Sequence, residues 1–416
     1  MKPTLQLFRR WGNLLLITAL PAMLFVGCND QLETTHTYRT QVPVYMKVDA
    51  FRSQDIIIAP PKPLLATGKI YVYGDYLLIN EPQKGIHVID NRNPASPKNL
   101  NFITIPGNVD MAVNSGILYA DSYIDLLAFD IANPRDIELV ERVEDVFPQM
   151  FTNANRDVFM AFKDTVITYT SSEPNPGWWV TDRAAFNSGS ESGSPSYGQG
   201  GSMARFTLAR GHLYTVDQSS LRLFNVAVAD KPEFVRDIPL GWGIETVFPF
   251  GHKLFIGSMT GMHIYDICNP ASPQEMAVYN HVTACDPVVV NEKYAFVTLR
   301  SGNFCQPGTD LLEVIDIQDP YHPKLLKSYP MKNPHGLGLS GNNLYVCEGA
   351  HGLKSFKVSD VMNISNNMME HLEDKKAVDV IPAPKSLIVI GPDGVCQYDY
   401  STPDKLRFLS CITVGD

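Results

Sequence analysis

The sequence has little cysteine, no excess of basic charge and a single long apolar run, and each shortage excludes a class of protein. Cysteine occurs 7 times in 416 residues, which is too sparse for a small fold built on disulfides. Lys and Arg total 34 against 44 Asp and Glu, a formal net charge of -10 at pH 7. Nucleic-acid binding needs a basic face, so we expect no nucleic-acid partner. Hydrophobic residues at 44% and charged residues at 19% are typical of a folded chain.

The apolar run lies near the N-terminus, at residues 14–26, behind a basic start. It is too short to span a bilayer comfortably, and the pattern predicts a secretory signal over residues 1–27. The run ends in Leu24-Phe25-Val26-Gly27-Cys28, which resembles a bacterial lipoprotein signal. The resemblance implies that Cys28 is lipidated and anchors the protein to the bacterial outer membrane, facing the periplasm or the cell surface. An ordinary secretory signal beside a chance cysteine is the alternative. Residues 28–60 are predicted to form a tether that can also supply a closing strand.

A single sequence motif is repeated along the rest of the chain. In a clear copy, a strand ends in an apolar residue followed by Asp, and Asn-Pro comes a few residues later. Clear copies are Gly85-Ile-His-Val-Ile-Asp90-Asn-Arg-Asn-Pro94 and Gly261-Met-His-Ile-Tyr-Asp266-Ile-Cys-Asn-Pro270. The residue before the Asp-like position recurs at steps of 40, 40, 55, 41, 50, 41 and 42 residues. Such a period, with four strands per repeat, predicts a β-propeller, in which small sheets stack on both faces and close a ring. The eight positions are Ile89, Phe129, Tyr169, Phe224, Tyr265, Ile315, Phe356 and Tyr398.

The repeat resembles the LVIVD-repeat family of bacterial propellers over about residues 65–412. The resemblance implies an all-β fold with a single propeller of four-stranded blades at residues 61–416, and it implies no particular activity. Asn225 and Phe356-Lys357 depart from the family's Asp, and the third copy, Val166-Ile-Thr-Tyr169, is weak. The blade count is therefore open: eight copies favour eight blades, and seven is the alternative.

The longest step contains an insert at residues 171–202, predicted to follow the third strand of a blade. It carries Trp178 and Trp179 in a polar, Gly- and Ser-rich context. The two indoles could stack on a sugar ring or contact a protein partner. The alternative is that they pack the insert onto the propeller.

Two cysteines flank one predicted hairpin at the same end of its sheet. This placement predicts a Cys285–Cys305 disulfide, with two free thiols as the alternative. The remaining cysteines in or beside strands are expected to be buried free thiols, and the alternative is a Cys396–Cys411 bridge across a hairpin. These residues are Cys268, Cys347, Cys396 and Cys411.

Ionisable residues recur at one position, about six residues before the first turn of each repeat. Inner strands begin here, so these groups are predicted to line one channel mouth and to bind a ligand. Crowded carboxylates there would have raised pKa values or would recruit a hard cation such as Ca²⁺, with Asp110, Glu245, Asp286 and Asp379 as candidate ligands. The alternative is a wet channel in which Arg205 and His335 neutralise the carboxylates. The position holds Gly68, Asp110, Asp145, Arg205, Glu245, Asp286, His335 and Asp379.

Gly336-Leu-Gly338-Leu-Ser-Gly341 matches the dinucleotide-binding fingerprint by letters, but a strand rather than the required helix is predicted to follow it. Other common catalytic and nucleotide-binding motifs are not found in the sequence. The favoured interpretation is a non-enzymatic binding or scaffold module on the bacterial envelope, with a protein or glycan partner of unknown identity. The alternative is an envelope glycan hydrolase or lyase that uses Asp286, His335 and Asp379 at the channel mouth.

Overall fold

The structure, a computed structural model, describes residues 34–147, 153–171, 199–280, 287–301 and 310–415. Within these residues the chain forms a seven-bladed propeller, each blade a four-stranded antiparallel sheet whose strands follow one another in sequence. The predicted all-β propeller of four-stranded blades is confirmed. The blade count is seven, which the sequence allowed, and not the eight that it favoured.

The blades are numbered in chain order, and the first strand of each is the innermost. Blades 1 to 3 contain β3 (Ile70–Tyr73), β4 (Tyr76–Glu81), β5 (Gly85–Asp90), β6 (Lys98–Thr104); β7 (Met111–Asn114), β8 (Ile117–Ser122), β9 (Asp125–Asp130), β10 (Glu138–Val143); and β13 (Phe206–Ala209), β14 (His212–Val216), β15 (Ser220–Asn225), β16 (Glu233–Pro239). Blades 4 and 5 contain β17 (Ile244–Phe250), β18 (Lys253–Ser258), β19 (Gly261–Asp266), β20 (Gln274–Asn280); and β21 (Val288–Val290), β22 (Tyr294–Leu299), β23 (Leu311–Asp316), β24 (Lys324–Pro330). Blades 6 and 7 contain β25 (Leu337–Ser340), β26 (Asn343–Cys347), β27 (Leu353–Lys357), β28 (Met368–Leu372); and β29 (Asp379–Pro382), β30 (Leu387–Gly391), β31 (Gly394–Asp399), β32 (Arg407–Thr413).

Outside the blade strands lie four short elements and two long strands. They are β1 (Thr34–Met46), the helix α1 (Val48–Arg52), β2 (Ile58–Ala59), β11 (Val158–Ser171), β12 (Gln199–Gly200) and a 3₁₀ helix at Ile364–Asn367. In the described residues, no helix has the length and apolar character needed to cross a membrane.

The inner strands of each blade are apolar on both faces because each blade is sandwiched between two others. Leu77, Leu78 and Ile79 are consecutive in β4, point to alternate faces, and are all fully buried. The outermost strands face solvent, and every residue of β16 is exposed or half-buried. Stacking of blades, rather than burial of one sheet face, therefore forms the core.

The Asp of the repeat builds the turn that ends the third strand of a blade. Its carboxylate accepts the backbone N–H two residues later, as in Asp90 from Arg92 at 3.1 Å and Asp316 from Gln318 at 2.9 Å. Asn225 does the same in blade 3, accepting from Ala227 at 3.0 Å. The departure from Asp at this position therefore conserves the turn.

The third repeat copy is not a blade. Val166 to Tyr169 lie within β11, a 14-residue strand that pairs with β1 in a separate two-stranded sheet. The insert therefore follows β11, in the connection between the last strand of blade 2 and the first strand of blade 3, and does not follow the third strand of a blade as predicted. The chain divides into two compact units, Met1–Val42 with Lys163–Val180, and Pro43–Phe162 with Thr181–Asp416; the second contains the propeller.

Blades 1 and 7 close the ring through direct packing. Their apolar faces form one cluster that includes Ile79 of β4 and Ile388 of β30. Asn91 and Gln397 exchange two amide hydrogen bonds, at 3.0 and 2.8 Å, and both side chains are buried. Leu64 bridges to Val414, and its carbonyl accepts the Gly415 N–H at 2.9 Å. In the predicted tether, β2 pairs with β6 of blade 1.

Two of the cysteines expected to be free thiols form a disulfide. Cys396 and Cys411 lie directly opposite each other on β31 and β32, with Cα atoms 4.0 Å apart. Cys347 is free and buried as expected, whereas Cys268 is free but exposed. The predicted Cys285–Cys305 pair lies outside the described residues.

Candidate functional site at the central channel

Five of the predicted ring residues do lie at or beside the start of an inner strand. Asp379 is the first residue of β29 and Glu245 the second of β17, while Asp110, Arg205 and His335 come one or two residues before β7, β13 and β25. Inner strands run side by side around the propeller axis, so these positions share one end of the channel. This end is the entrance to the central channel.

The channel is occupied by the chain itself, at residues 199–205, which we call the plug. Gln199 and Gly200 form β12 and pair with β3 of blade 1. The Ala204 carbonyl accepts the Val247 N–H of blade 4 at 2.8 Å. Residues 200 to 204 are all buried. The plug thus adds a strand to the inner edge of blade 1 and also contacts blades across the ring.

Asp379 of the predicted ring is enclosed by the plug. Its Oδ1 accepts the Ser202 hydroxyl at 3.1 Å and the Val380 N–H at 2.9 Å. Ser202 Oγ in turn accepts the Leu337 N–H of blade 6 at 2.8 Å. Side chains at Gly201 and Gly336 would overlap the Asp379 carboxylate, so only glycine allows this close approach. Asp379 is 6% exposed. Through these contacts blade 7, the plug and blade 6 meet at the centre of the ring, which we call the hub.

Asp110 is also committed to the plug. Its Oδ2 accepts the N–H groups of Arg205 at 2.6 Å and Phe206 at 3.2 Å, and its Oδ1 accepts that of Met111 at 2.7 Å. The Lys69 ammonium lies 3.9 Å from the same carboxylate and donates to the Met203 carbonyl. A cation and an anion are therefore buried together where the plug passes between blades 1 and 2.

Burial shifts the pKa values of this hub cluster. It lowers the pKa of Lys69 to about 7, against the attraction of Asp110, and raises the pKa of Asp110. Asp121, whose Oδ1 accepts the N–H groups of Val109 and Asp110, has its pKa raised by burial to about 6. These pKa shifts arise because the cluster is buried in a low-dielectric interior. They do not indicate that a dissolved ligand reaches it.

A second set of ionisable residues stays half-exposed at the channel entrance. Burial lowers the pKa of His335 to about 4, and the positive charge of Arg300 acts in the same direction while Asp310 opposes it. Burial also lowers the pKa of Arg300, which Glu245 and Asp310 oppose. Asp310 accepts from Ser301 N at 2.9 Å and from Asn333 N at 3.1 Å. Arg300 and Asp310 lie at the two ends of the segment that joins the second and third strands of blade 5, and they were not predicted as site residues.

An exposed tryptophan lies at the same end of the channel, two residues before β17. Trp242 is 67% exposed, and it is held between Gly241 and Gly243, both at positive φ. A side chain at Gly243 would approach Met259 at 3.0 Å, so the turn is tight. Sequence reasoning missed Trp242, although a Gly-Trp-Gly turn between two blades was a readable signal. Together with Glu245, Arg300, Asp310 and His335, Trp242 defines what we call the rim.

Asp145 does not belong to the channel, contrary to the prediction. It follows β10 at the outer edge of blade 2, with φ 56°, and its carboxylate pairs with Arg52 at 3.0 Å. The prediction relied on the third repeat copy, which is not a blade. Asp286, Trp178, Trp179 and Cys28 lie outside the described residues.

The carboxylates proposed for Ca²⁺ do not converge in the described part of the chain. Asp110 Oδ2 and Asp379 Oδ1 accept hydrogen bonds from the plug, and in the described residues no group of three ligating side chains contains Asp110, Glu245 or Asp379. Asp379 is also unable to meet a dissolved substrate beside His335 while the plug encloses it. Because the plug fills the channel, the accessible functional groups at its entrance are those of the rim: an indole face, a guanidinium, two carboxylates and an imidazole.

Comparison with known proteins supports the repeat and the fold. The sequence model of the LVIVD repeat matches residues 66–102, within blade 1, and residues 251–281, within blade 4. No curated protein sequence matches the chain.

Solved structures with similar folds have little sequence in common with this chain. A periplasmic gluconolactonase of Pseudomonas aeruginosa is 12% identical, with a TM-score of 0.54 over 84% of this chain and 96% of that one. The computationally designed protein Ika8 is 8% identical, with a TM-score of 0.52 over 85% and 89% of the two chains. A protein from Lactobacillus plantarum is 13% identical, with a TM-score of 0.51 over 83% and 98%. At such identities the likeness shows the propeller fold alone.

Proposed function

We propose that this chain is a non-enzymatic binding module whose rim recognises a glycan of the bacterial envelope. The observation that carries the proposal is Trp242, an exposed indole at the same end of the plugged channel as the half-exposed charged groups of the rim. An indole face stacks on the apolar face of a sugar ring, and Arg300 with Glu245 can hydrogen-bond its hydroxyls. The exposed area of Trp242 would then be buried in the complex.

A glycan array tests this function. The full chain, labelled and purified in detergent, would be applied to immobilised peptidoglycan fragments and envelope polysaccharides. We expect wild type to bind a subset of glycans, and Trp242→Ala and Arg300→Ala to weaken that binding at least about tenfold. Val228→Ala removes another exposed apolar side chain, on the loop after the third strand of blade 3, and serves as the matched control.

Two outcomes would contradict the proposal. One is the absence of glycan binding by wild type, which would leave a protein partner as the better explanation. The other is equal loss in Val228→Ala and Trp242→Ala, which would place the contact elsewhere.

The alternative of glycan hydrolysis or lysis has less support, because Asp379 is enclosed by the plug. The bound glycans would be incubated with wild type and with the Asp286→Asn/His335→Ala double variant. Under the binding hypothesis neither protein releases reducing ends. Turnover by wild type that the double variant abolishes would favour the enzyme.

We also propose that Cys28 carries a lipid that holds the propeller at the outer membrane. Support comes from the sequence that precedes it. Metabolic labelling with an alkyne fatty acid in a Gram-negative host should label wild type and Cys268→Ser but not Cys28→Ala. Equal labelling of Cys28→Ala would rule out this anchor, and it would leave the glycan hypothesis untouched.

A further inference from the structure

A cluster of metal-ligating side chains lies at the opposite end of blade 4 from the rim. A ring nitrogen of His252, a carboxylate oxygen of Asp266 and the Cys268 sulfur all lie within 4.8 Å of one another. His252 and Cys268 are exposed, and Asp266 is half-buried. Three chemically different ligands thus face one point on an accessible surface.

The sheet fixes the backbone on both sides of this cluster. His252 occupies the turn between β17 and β18, and its carbonyl accepts the Ile267 N–H at 2.8 Å. The next residue, Lys253, is the register partner of Asp266. Asp266 Oδ1 accepts the Cys268 N–H at 2.6 Å, which sets the position of Cys268. The three ligand positions are therefore held by the fold without a metal.

The same backbone framework recurs in other blades with different side chains. In blades 1, 2, 3, 5 and 6 an equivalent N–H to carbonyl bond joins the two segments. The repeat Asp serves the turn in these blades except blade 3, which has Asn225, and blade 6, which has Lys357, so Asp266 alone would point to no ligand. The positions equivalent to His252 and Cys268 hold Asp75 and Arg92, Gly116 and Ala132, Gly211 and Ala227, Lys293 and Gln318, and Asn342 and Ser359. Among these six blades the His and Cys pair is specific to blade 4.

We propose that His252, Asp266 and Cys268 bind one Zn²⁺ ion. Imidazole nitrogen, thiolate sulfur and carboxylate oxygen are the protein ligands zinc uses, and three of them leave a fourth tetrahedral position for water. Binding converts the Cys268 thiol to a thiolate and releases its proton to solvent. The thiolate and Asp266 together then neutralise the charge of the ion.

Two nearby cations limit the affinity of the site. Lys253 Nζ lies 3.2 Å from His252 Nε2, so it must turn away or leave Nδ1 as the ligand atom. The Arg210 guanidinium lies 3.5 Å from the Cys268 carbonyl. We therefore expect a site of modest affinity that responds to zinc supply.

Zinc titration of the full chain by calorimetry, repeated with Co²⁺ by absorption, tests the proposal. Wild type should bind one zinc at this site and show thiolate-to-cobalt charge transfer. Loss of an outer-shell partner typically weakens metal binding about 10- to 100-fold. His252→Ala and Cys268→Ser each remove a direct ligand, so we expect zinc binding to weaken at least that much. Cys268→Ser should also lose the charge-transfer band.

Two further variants keep the test independent of folding defects. Asp266→Asn retains the turn, as Asn225 does in blade 3, and should weaken zinc binding while thermal unfolding without metal is unchanged. His322→Ala removes an exposed histidine 2.8 Å from Asp319, without a neighbouring cysteine, and should bind zinc as wild type does. Unchanged zinc affinity in Cys268→Ser, or a cobalt band that persists in it, would overturn the proposal.

Discussion

Buried charged residues at the hub of this propeller serve the fold before they serve any ligand. Asp379 accepts hydrogen bonds from Ser202 and Val380, and Asp110 accepts three backbone N–H groups. Each carboxylate replaces the water it loses on burial with fixed donors. The sequence therefore predicted that ionisable residues lie at the start of the inner strands, whereas it did not predict which groups donate hydrogen bonds to them.

Ser202→Ala tests the importance of the plug at the scale of one hydroxyl. The substitution removes the hydrogen bond that Ser202 donates to the Asp379 carboxylate and the one that it accepts from the Leu337 N–H. We expect the free energy of unfolding, measured by denaturant titration, to fall by about 1–3 kcal/mol. Ser401→Ala, at an exposed position, should change it by less than about 0.5 kcal/mol. Equal small effects would mean that the plug does not stabilise the hub.

His335 should make stability depend on pH. Its pKa is about 4 in the folded protein, below its ordinary value, so between those values the unfolded chain binds a proton that the folded chain does not. Stability from this residue is present above its ordinary pKa near 6.5 and is lost as pH falls toward 4.

The measurement compares unfolding free energies of wild type and His335→Gln from pH 7 to pH 4. The wild type should lose up to about 1.4 kcal/mol per pH unit more than the variant. His351→Gln, at an exposed histidine, should keep the wild-type slope. Parallel slopes for wild type and His335→Gln would contradict this assignment.

The strands of the blades follow from the repeat, because apolar residues and the Asp turn are local features. Pairing is not local, and this explains the error over Val166 to Tyr169. A 14-residue strand rich in β-branched and aromatic residues has the composition of a blade strand, yet its partner is β1, more than a hundred residues earlier. The plug was missed for a similar reason, since its small residues resemble the end of a flexible Gly- and Ser-rich loop. Gly201 is instead required by the close approach of Asp379.

The glycine that opens a third strand should be essential to its blade. Gly85 has φ 142°, which side chains rarely adopt, and a Cβ there would overlap the Ile103 carbonyl of β6. We expect Gly85→Ala to lower the free energy of unfolding by more than about 3 kcal/mol. Gly74→Ala, at φ 55° with open space around it, should cost only about 1–2 kcal/mol. Thermal and denaturant unfolding of both variants would measure the difference, and similar costs would refute the role of the carbonyl contact.

At the scale of the whole molecule, the ring is closed by packing between its first and last blades. Leu64 is 4% exposed and contacts the chain end, whereas its neighbour Leu65 is 55% exposed. We expect Leu64→Ala to lower the unfolding free energy by about 2–5 kcal/mol in one cooperative transition. Leu65→Ala should change it by less than about 0.5 kcal/mol. A separate early transition in Leu64→Ala would show instead that blades 1 and 7 open independently of the rest.

Each blade is a continuous stretch of chain, and no sheet is shared between the two ends of the propeller. Since Leu64 and Val414 already touch, a short peptide could join them, and the sequence could begin at another junction between blades. The junction between blades 2 and 3 differs, because the chain there descends into the hub and contacts blades 1, 2, 4, 6 and 7. Circular permutation should thus be tolerated at the other junctions. A cut within residues 199–205 would instead interrupt the segment that holds five of the seven blades together at the centre of the ring.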